Sequence, residues 1–240
     1  MFKREKDYVI IDAGNTAIKL AVIKNGKLST VDRFSSLDKI IPFITNKVVV
    51  CISVTHQDFK KLVEDNNGLF FQISYNLKLP FKSEYTSMDT IGVDRLCNVA
   101  AAAAKFPLSN SLIIDIGTCV KFDFLSADNL YRGGSIAPGI SLRYQSLHEY
   151  TSKLPLLNIK EHTHIIGENT TRAIQSGVIN GMRHEIEGLI SRYQHDFNDL
   201  QILITGGDAT YFDFPQKSNI FANKNLTLEG IVEIYEINTL

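Results

Sequence analysis

Leu112-Ile-Ile-Asp-Ile-Gly-Thr-Cys-Val-Lys-Phe122 repeats, with one residue fewer in its turn, the opening stretch Val9-Ile-Ile-Asp-Ala-Gly-Asn-Thr-Ala-Ile-Lys-Leu20. Each copy is an apolar, β-branched run that ends in Asp, passes through a glycine-containing turn and resumes as a second run. That is the pattern of a strand-turn-strand hairpin. Duplication of such a unit predicts an α/β chain of two related lobes, residues 1–108 and 109–240, divided near residues 107–111.

The turns carry chemistry. A carboxylate at the end of a strand points past the sheet edge, where it can hold Mg²⁺ directly or through water. Glycine lets the chain turn and removes the Cβ that would keep a phosphate away. Asn and Thr side chains and the turn amides can donate to phosphate oxygens. One such turn is explained equally well by an ordinary hairpin. Two matched copies can face each other across a cleft and grip a polyphosphate from both sides.

Composition sets the bounds. The chain has 240 residues, 44% apolar, and a net charge of -1, enough for a sizeable core without staples. Interspersed charges leave no footprint for nucleic acid or an anionic membrane surface. Cys51, Cys97 and Cys119 are far apart among apolar neighbours, which predicts buried thiols in a reducing cytoplasm. The charged segment Met1–Asp7 has no apolar signal core, and no run approaches a membrane span. A soluble cytoplasmic protein is expected.

Periodicity predicts two or three opening antiparallel strands with a turn at Asn25-Gly26, and further strands at Lys47–Ser53 and Leu69–Ile73. Helices are expected at Leu37–Ile44, Gln57–Val63 and Gly92–Phe106, the last with an alanine run at Ala100–Ala104 that must lie close against a neighbour. The second hairpin leads through another strand into Gly133-Gly-Ser-Ile-Ala-Pro-Gly139, read as a loop. Helices at Ile140–Tyr150 and Asn169–Tyr193 follow, then a strand at Gln201–Ile204 ending in Thr205-Gly-Gly-Asp208. His162-Thr-His164 lies in a polar connection without a third ligand, which favours a solvated loop over a metal site.

The two Asp-Gly turns and the terminal Thr205-Gly-Gly-Asp208 resemble the nucleotide motifs of the actin, hexokinase and acetate kinase superfamily of ATPases. Within it, Asp12 to Lys19, Gly92-Val-Asp-Arg95, Asp115-Ile-Gly-Thr118, Gly133 to Gly139 and Thr205 to Asp208 together resemble the type III pantothenate kinases. The resemblance runs in order through nearly the whole chain. It implies two actin-like, ribonuclease H-like lobes with an ATP cleft between them, a homodimer, and phosphorylation of pantothenate at the start of coenzyme A biosynthesis.

The same resemblance implies residue roles. Asp12, Ala13, Gly14, Asn15, Thr16, Ala17, Ile18 and Lys19, with Thr118, would bind ATP, Asp12 holding Mg²⁺ through the phosphates. Asp115 matches a position for a monovalent cation, K⁺ or NH₄⁺, although a carboxylate there could equally serve Mg²⁺. Asp94 matches the general base that takes the proton from the attacking hydroxyl. A first-turn Asp is also favoured by the helix dipole alone, and Arg95 could be a surface ion pair.

Tyr85, Gly92, Val93, Asp94, Arg95 and Thr170 would contact pantothenate, with Arg95 suited to its carboxylate. Met88 stands where family members often carry proline. Thr170 could instead cap its helix. The apolar residues Ala173, Ile174, Val178, Met182, Ile186 and Leu189 give that helix one buried face, serving either the homodimer or an ordinary core.

Overall fold

A computed structural model describes residues 7–14, 18–53, 58–158, 164–214 and 219–239. The chain forms two compact units, Met1–Lys105 with Asn225–Leu240, and Phe106–Lys224.

In the first unit the opening alternation folds as β1 (Tyr8–Ala13), β2 (Ile18–Lys24) and β3 (Lys27–Phe34), joined antiparallel. Asn25 and Gly26 turn the second hairpin at φ 52° and 74°, the left-handed pair that a two-residue connection requires. The expected helix at Leu37–Ile44 is only a 3₁₀ turn followed by α1 (Ile41–Ile44), because Pro42 cannot donate to a continuous ladder.

Next come β4 (Val48–Ser53), α2 (Phe59–Asp65), β5 (Leu69–Gln72), the two-residue strand β6 (Lys82–Ser83) and α3 (Val93–Lys105). Parallel pairing of β4 with β1 and of β5 with β4 completes a sheet in the order β3-β2-β1-β4-β5. Val9, Ile11, Leu20, Val49, Cys51, Ile44, Phe59 and Val63 form a core on this sheet.

The second unit repeats the plan. β7 (Ser111–Ile116), β8 (Cys119–Ser126) and β9 (Leu130–Pro138) are antiparallel neighbours. After α4 (Ile140–Glu149) and α5 (Thr170–Asp196), β10 (Gln201–Thr205) pairs parallel with β7, and β11 (Ile220–Ala222) pairs parallel with β10. Within this unit the order β9-β8-β7-β10-β11 matches the first sheet strand for strand.

Two sequence expectations are corrected, and one left open between two readings is decided. Gly133 to Pro138 is the outer half of β9, not a loop. Gly133, at φ 96°, sits at the register irregularity opposite Phe124, and a Cβ on Gly134 would strike the Phe122 backbone. The glycines therefore permit a bulged, close-lying strand. Secondly, the inward face of α5, built from Ile174, Val178, Met182 and Ile186, is used up in the core with Phe122, Ile140 and Tyr144. Of the two readings left open for this helix, the ordinary core holds for these four residues.

The other correction concerns the last segment, which does not belong to the second unit. Residues Leu226–Thr239 form α6, which packs on α3 in the first. The alanine run explains the fit: Ala100, Ala101 and Ala102 are buried, and Gly230 approaches so closely that a Cβ would strike the Cys97 carbonyl. Tyr235 completes the contact, its ring 4.6 Å from Tyr8 and 5.1 Å from Phe71, centroid to centroid. No helix among the described residues is long and apolar enough to cross a membrane.

Candidate functional site

Asp12 lies near the end of β1, where it stands opposite Lys19 of β2. Ala13 and Ile18 are buried, so they can serve a ligand only through their backbone. Asn15, Thr16 and Ala17 lie outside the described residues. Asp94 occupies the first turn of α3, and its Oδ1 accepts from the Arg95 amide at 2.9 Å. Gly92 gives that carboxylate room, since a Cβ there would lie 2.5 Å from Oδ1.

The wholly buried Cys97 thiol links the two acids. Burial raises its pKa well above the ordinary value, and the charges of Asp12 and then Asp94 raise it further. The Cys51 thiol is pushed up by burial and by Asp12 alone. Two of the three cysteines are therefore inert core thiols, while Cys119 is half-buried.

Arg95 is not a surface residue. It is 3% exposed, and its Nη1 donates to the Tyr85 hydroxyl at 3.4 Å. The guanidinium carbon lies 5.4 Å from the Tyr85 ring centre, a stacked arrangement that suits arginine over lysine. Tyr85 is anchored in turn, its amide donating to Ser83 Oγ at 3.0 Å, and that hydroxyl donates to the Met88 sulfur at 3.4 Å. Met88 thus buttresses the tyrosine loop in place of the family's proline.

In the second unit, Asp115 stands opposite Lys121 across the β7–β8 hairpin, and Lys121 Nζ lies 2.7 Å from Asp115 Oδ2. The monovalent-cation position implied by the resemblance does not fit this donor set, because the carboxylate already carries an ammonium. Lys121 was absent from the sequence candidates. Its signal lay in the repeat itself, where Lys19 and Lys121 follow their aspartates in matching places.

Thr118 is exposed at the tip of the turn, and its carbonyl accepts from the Gly139 amide at 3.0 Å. The terminal motif is fastened to the same edge. Gly206, at φ 99°, abuts the Ile116 backbone, and the Asp208 amide donates to the Ile116 carbonyl at 2.9 Å. Burial raises the Asp208 carboxyl pKa, and the Asp115 charge adds to the rise.

Thr170 does not cap its helix. Asn169 does, accepting from the Arg172 amide at 3.0 Å. Thr170 instead borders a cavity of about 720 Å³ with Arg143, Leu147, Leu154 and Ile174. Arg143 spans its rim, donating to the Pro138 carbonyl at 2.8 Å and pairing with Glu185 at 2.5 Å. His162 lies outside the described residues. His164 is exposed, and no group of three His, Cys, Asp or Glu among the described residues could hold a metal.

Residues 8–192 match the family model described as type III pantothenate kinase. The chain is 39% identical over 239 residues to the type III pantothenate kinase of Christiangramia forsetii, covering 96% of this chain and 98% of that one. It is 35% identical over 238 residues to that of Phocaeicola vulgatus, with 96% and 98% covered. Among solved structures, it is similar in fold to a Campylobacter jejuni protein described as a Baf family transcriptional activator. There the TM-score is 0.64 at 22% identity, covering 96% of this chain and 98% of that one. A Sinorhizobium meliloti protein described as a 2-dehydro-3-deoxygalactonokinase gives a TM-score of 0.55 at 11% identity, with 97% and 100% covered. The lobes have the actin-like α/β plan, and the chain belongs to the type III pantothenate kinase family.

Proposed function

We propose that this chain transfers the γ-phosphate of ATP to the terminal hydroxyl of pantothenate, giving 4'-phosphopantothenate, the first step toward coenzyme A. Membership of the family and curated relatives over nearly the full length support the reaction. The observation that carries the division of labour is the placement of the two acids: Asp12 near the end of β1 opposite Lys19, and Asp94 in the first turn of α3 with Oδ1 on the Arg95 amide. One acid faces the phosphates and the other faces the acceptor.

In this reading Asp94 takes the proton from the attacking hydroxyl, held in its rotamer by the Arg95 amide and by the clearance at Gly92. Arg95, backed by Tyr85, holds the pantothenate carboxylate. Thr170 supplies a hydroxyl to the same substrate. Asp12, Gly14 and Lys19, with Asn15 and Thr16 and the backbone of Ala13, Ala17 and Ile18, serve the ATP phosphates, and Thr118 adds a donor.

A single carboxylate with substrate phosphates is the donor set that magnesium favours, and Asp12 fits it. When bound, magnesium neutralises charge on the phosphate oxygens. A homodimer is also proposed, on a surface other than the inward face of α5. The exposed Tyr150, Leu156, Ile165 and Ile166 beside that helix support it.

ADP release measured with and without pantothenate, with magnesium present, tests the reaction. No pantothenate-stimulated turnover, with or without K⁺, sinks the substrate assignment.

A further inference from the structure

We infer that the Lys121 ammonium takes the place of a soluble monovalent cation at Asp115, so that this chain turns over without K⁺ or NH₄⁺. The inference rests on the kinase reading above and concerns the same site.

The geometry is that of a built-in cation. Lys121 and Asp115 are register partners on adjacent antiparallel strands, so their side chains leave the sheet on one face at close range. The ammonium lies 2.7 Å from the carboxylate, with side-chain exposures of only 17% and 15%. Chemically it is an ammonium ion on a hydrocarbon tether, a compact charge with three donors. One donor meets Asp115, as an NH₄⁺ ion at that carboxylate would.

Tethering also fixes the local concentration of the charge, since the strands hold it in place whether or not salt is present. A second cation brought to the same carboxylate would be repelled by the first. The neighbourhood keeps the need for positive charge: Asp208 is fastened to the adjoining Ile116, and the charge of Asp115 reaches it. The same register recurs in the first hairpin, where Asp12 stands opposite Lys19, so it is the 2.7 Å ammonium–carboxylate contact, not the register alone, that carries the assignment at Asp115. Each copy places a lysine directly across from its metal- or phosphate-facing acid.

The experiment compares the full-length chain and Lys121→Met in buffers whose only monovalent cation is tetramethylammonium, K⁺ or NH₄⁺. Methionine keeps the length of the stem and removes the charge. Two readouts are taken: pantothenate-dependent ADP release, and the rise in melting temperature caused by magnesium and a non-hydrolysable ATP analogue.

The inference expects unsubstituted protein to vary by no more than about twofold in rate across the three buffers. Lys121→Met is expected to lose about tenfold or more in tetramethylammonium and to recover in K⁺ or NH₄⁺. Nucleotide-induced stabilisation follows the same pattern. A dependence of about tenfold on K⁺ in the unsubstituted protein overturns the inference, as does a Lys121→Met protein that is indifferent to cation at full rate. A folded Lys121→Met protein that no cation rescues overturns it too. Should the variant not fold, the comparison across buffers with unsubstituted protein decides alone. Absence of turnover in every buffer counts against the kinase reading, and the nucleotide-induced melting shifts then still decide the cation question.

Discussion

The Asp94 carboxylate occupies the space that a side chain at Gly92 would fill, a Cβ there lying 2.5 Å from Oδ1. The glycine is thus a steric condition for the rotamer of the acid. Gly92→Ala should fold normally, because the conflict is with a movable carboxylate, yet lower kcat by about tenfold or more through misplacement of the base. Steady-state ADP release beside a melting curve separates the two effects; a variant with unchanged kcat removes the steric link from the mechanism.

Removing the base itself should cost more. Asp94→Asn keeps the shape and the acceptor for the Arg95 amide but cannot take a proton, so kcat should fall about 10²–10⁴-fold. Nucleotide affinity, read by calorimetry, should stay close to that of the unsubstituted protein. Near-normal turnover would show that another group accepts the proton.

Arg95→Lys tests the stacked guanidinium. The ammonium cannot reproduce the face-on contact with Tyr85 or a paired donor set, and the KM for pantothenate should rise about tenfold. Stability should fall by about 1 kcal/mol as the contact over the ring is lost. An unchanged KM would place the pantothenate carboxylate elsewhere.

The α3–α6 contact gives a prediction of pure stability. Gly230→Ala drives a methyl group against the Cys97 carbonyl between two packed helices, and such overpacking costs about 1–3 kcal/mol. Denaturant melts should register the loss. No change would mean that the helices separate readily.

Asp208 supplies a pH signature. Its carboxyl pKa is raised from 3.8, first by burial and then by the Asp115 charge, so the folded chain holds that proton more tightly than the unfolded one. Its favourable contribution is full below the ordinary Asp range and is lost as pH rises through the raised value; near neutrality the ionised group is a net cost. Asp208→Asn should therefore melt higher than the parent near neutrality, with the advantage shrinking toward acid. The amide bond to Ile116 is made by the backbone and survives the substitution. A variant that melts lower near neutrality contradicts this sign.

The two hairpins were legible because period-two apolar runs, a turn glycine and a strand-end acid report the same local structure twice. The start of α3 was legible for the same reason of agreement between composition and position. Gly133 to Pro138 misled because glycine and proline usually punctuate, whereas here the glycines serve a tight approach to Phe122 and the proline closes the strand. The residues beyond Asp208 were assigned to the second lobe but given no helix or strand. Ile231, Val232, Ile234 and Ile237 are β-branched and Gly230 is a poor helix former, so α6 depends on its seat against α3 rather than on propensity. The repeat placed Lys121 to match Lys19, but its contact with Asp115 is set by the register of two strands.

The placement of α6 bears on the order of biosynthesis. Phe106–Lys224 is continuous in the chain and can close its core as soon as it clears the ribosome. The lobe begun earlier must wait, its alanine-rich helix face uncovered, until residues 226–239 emerge after the second unit. The lobe that is translated first is therefore the one finished last.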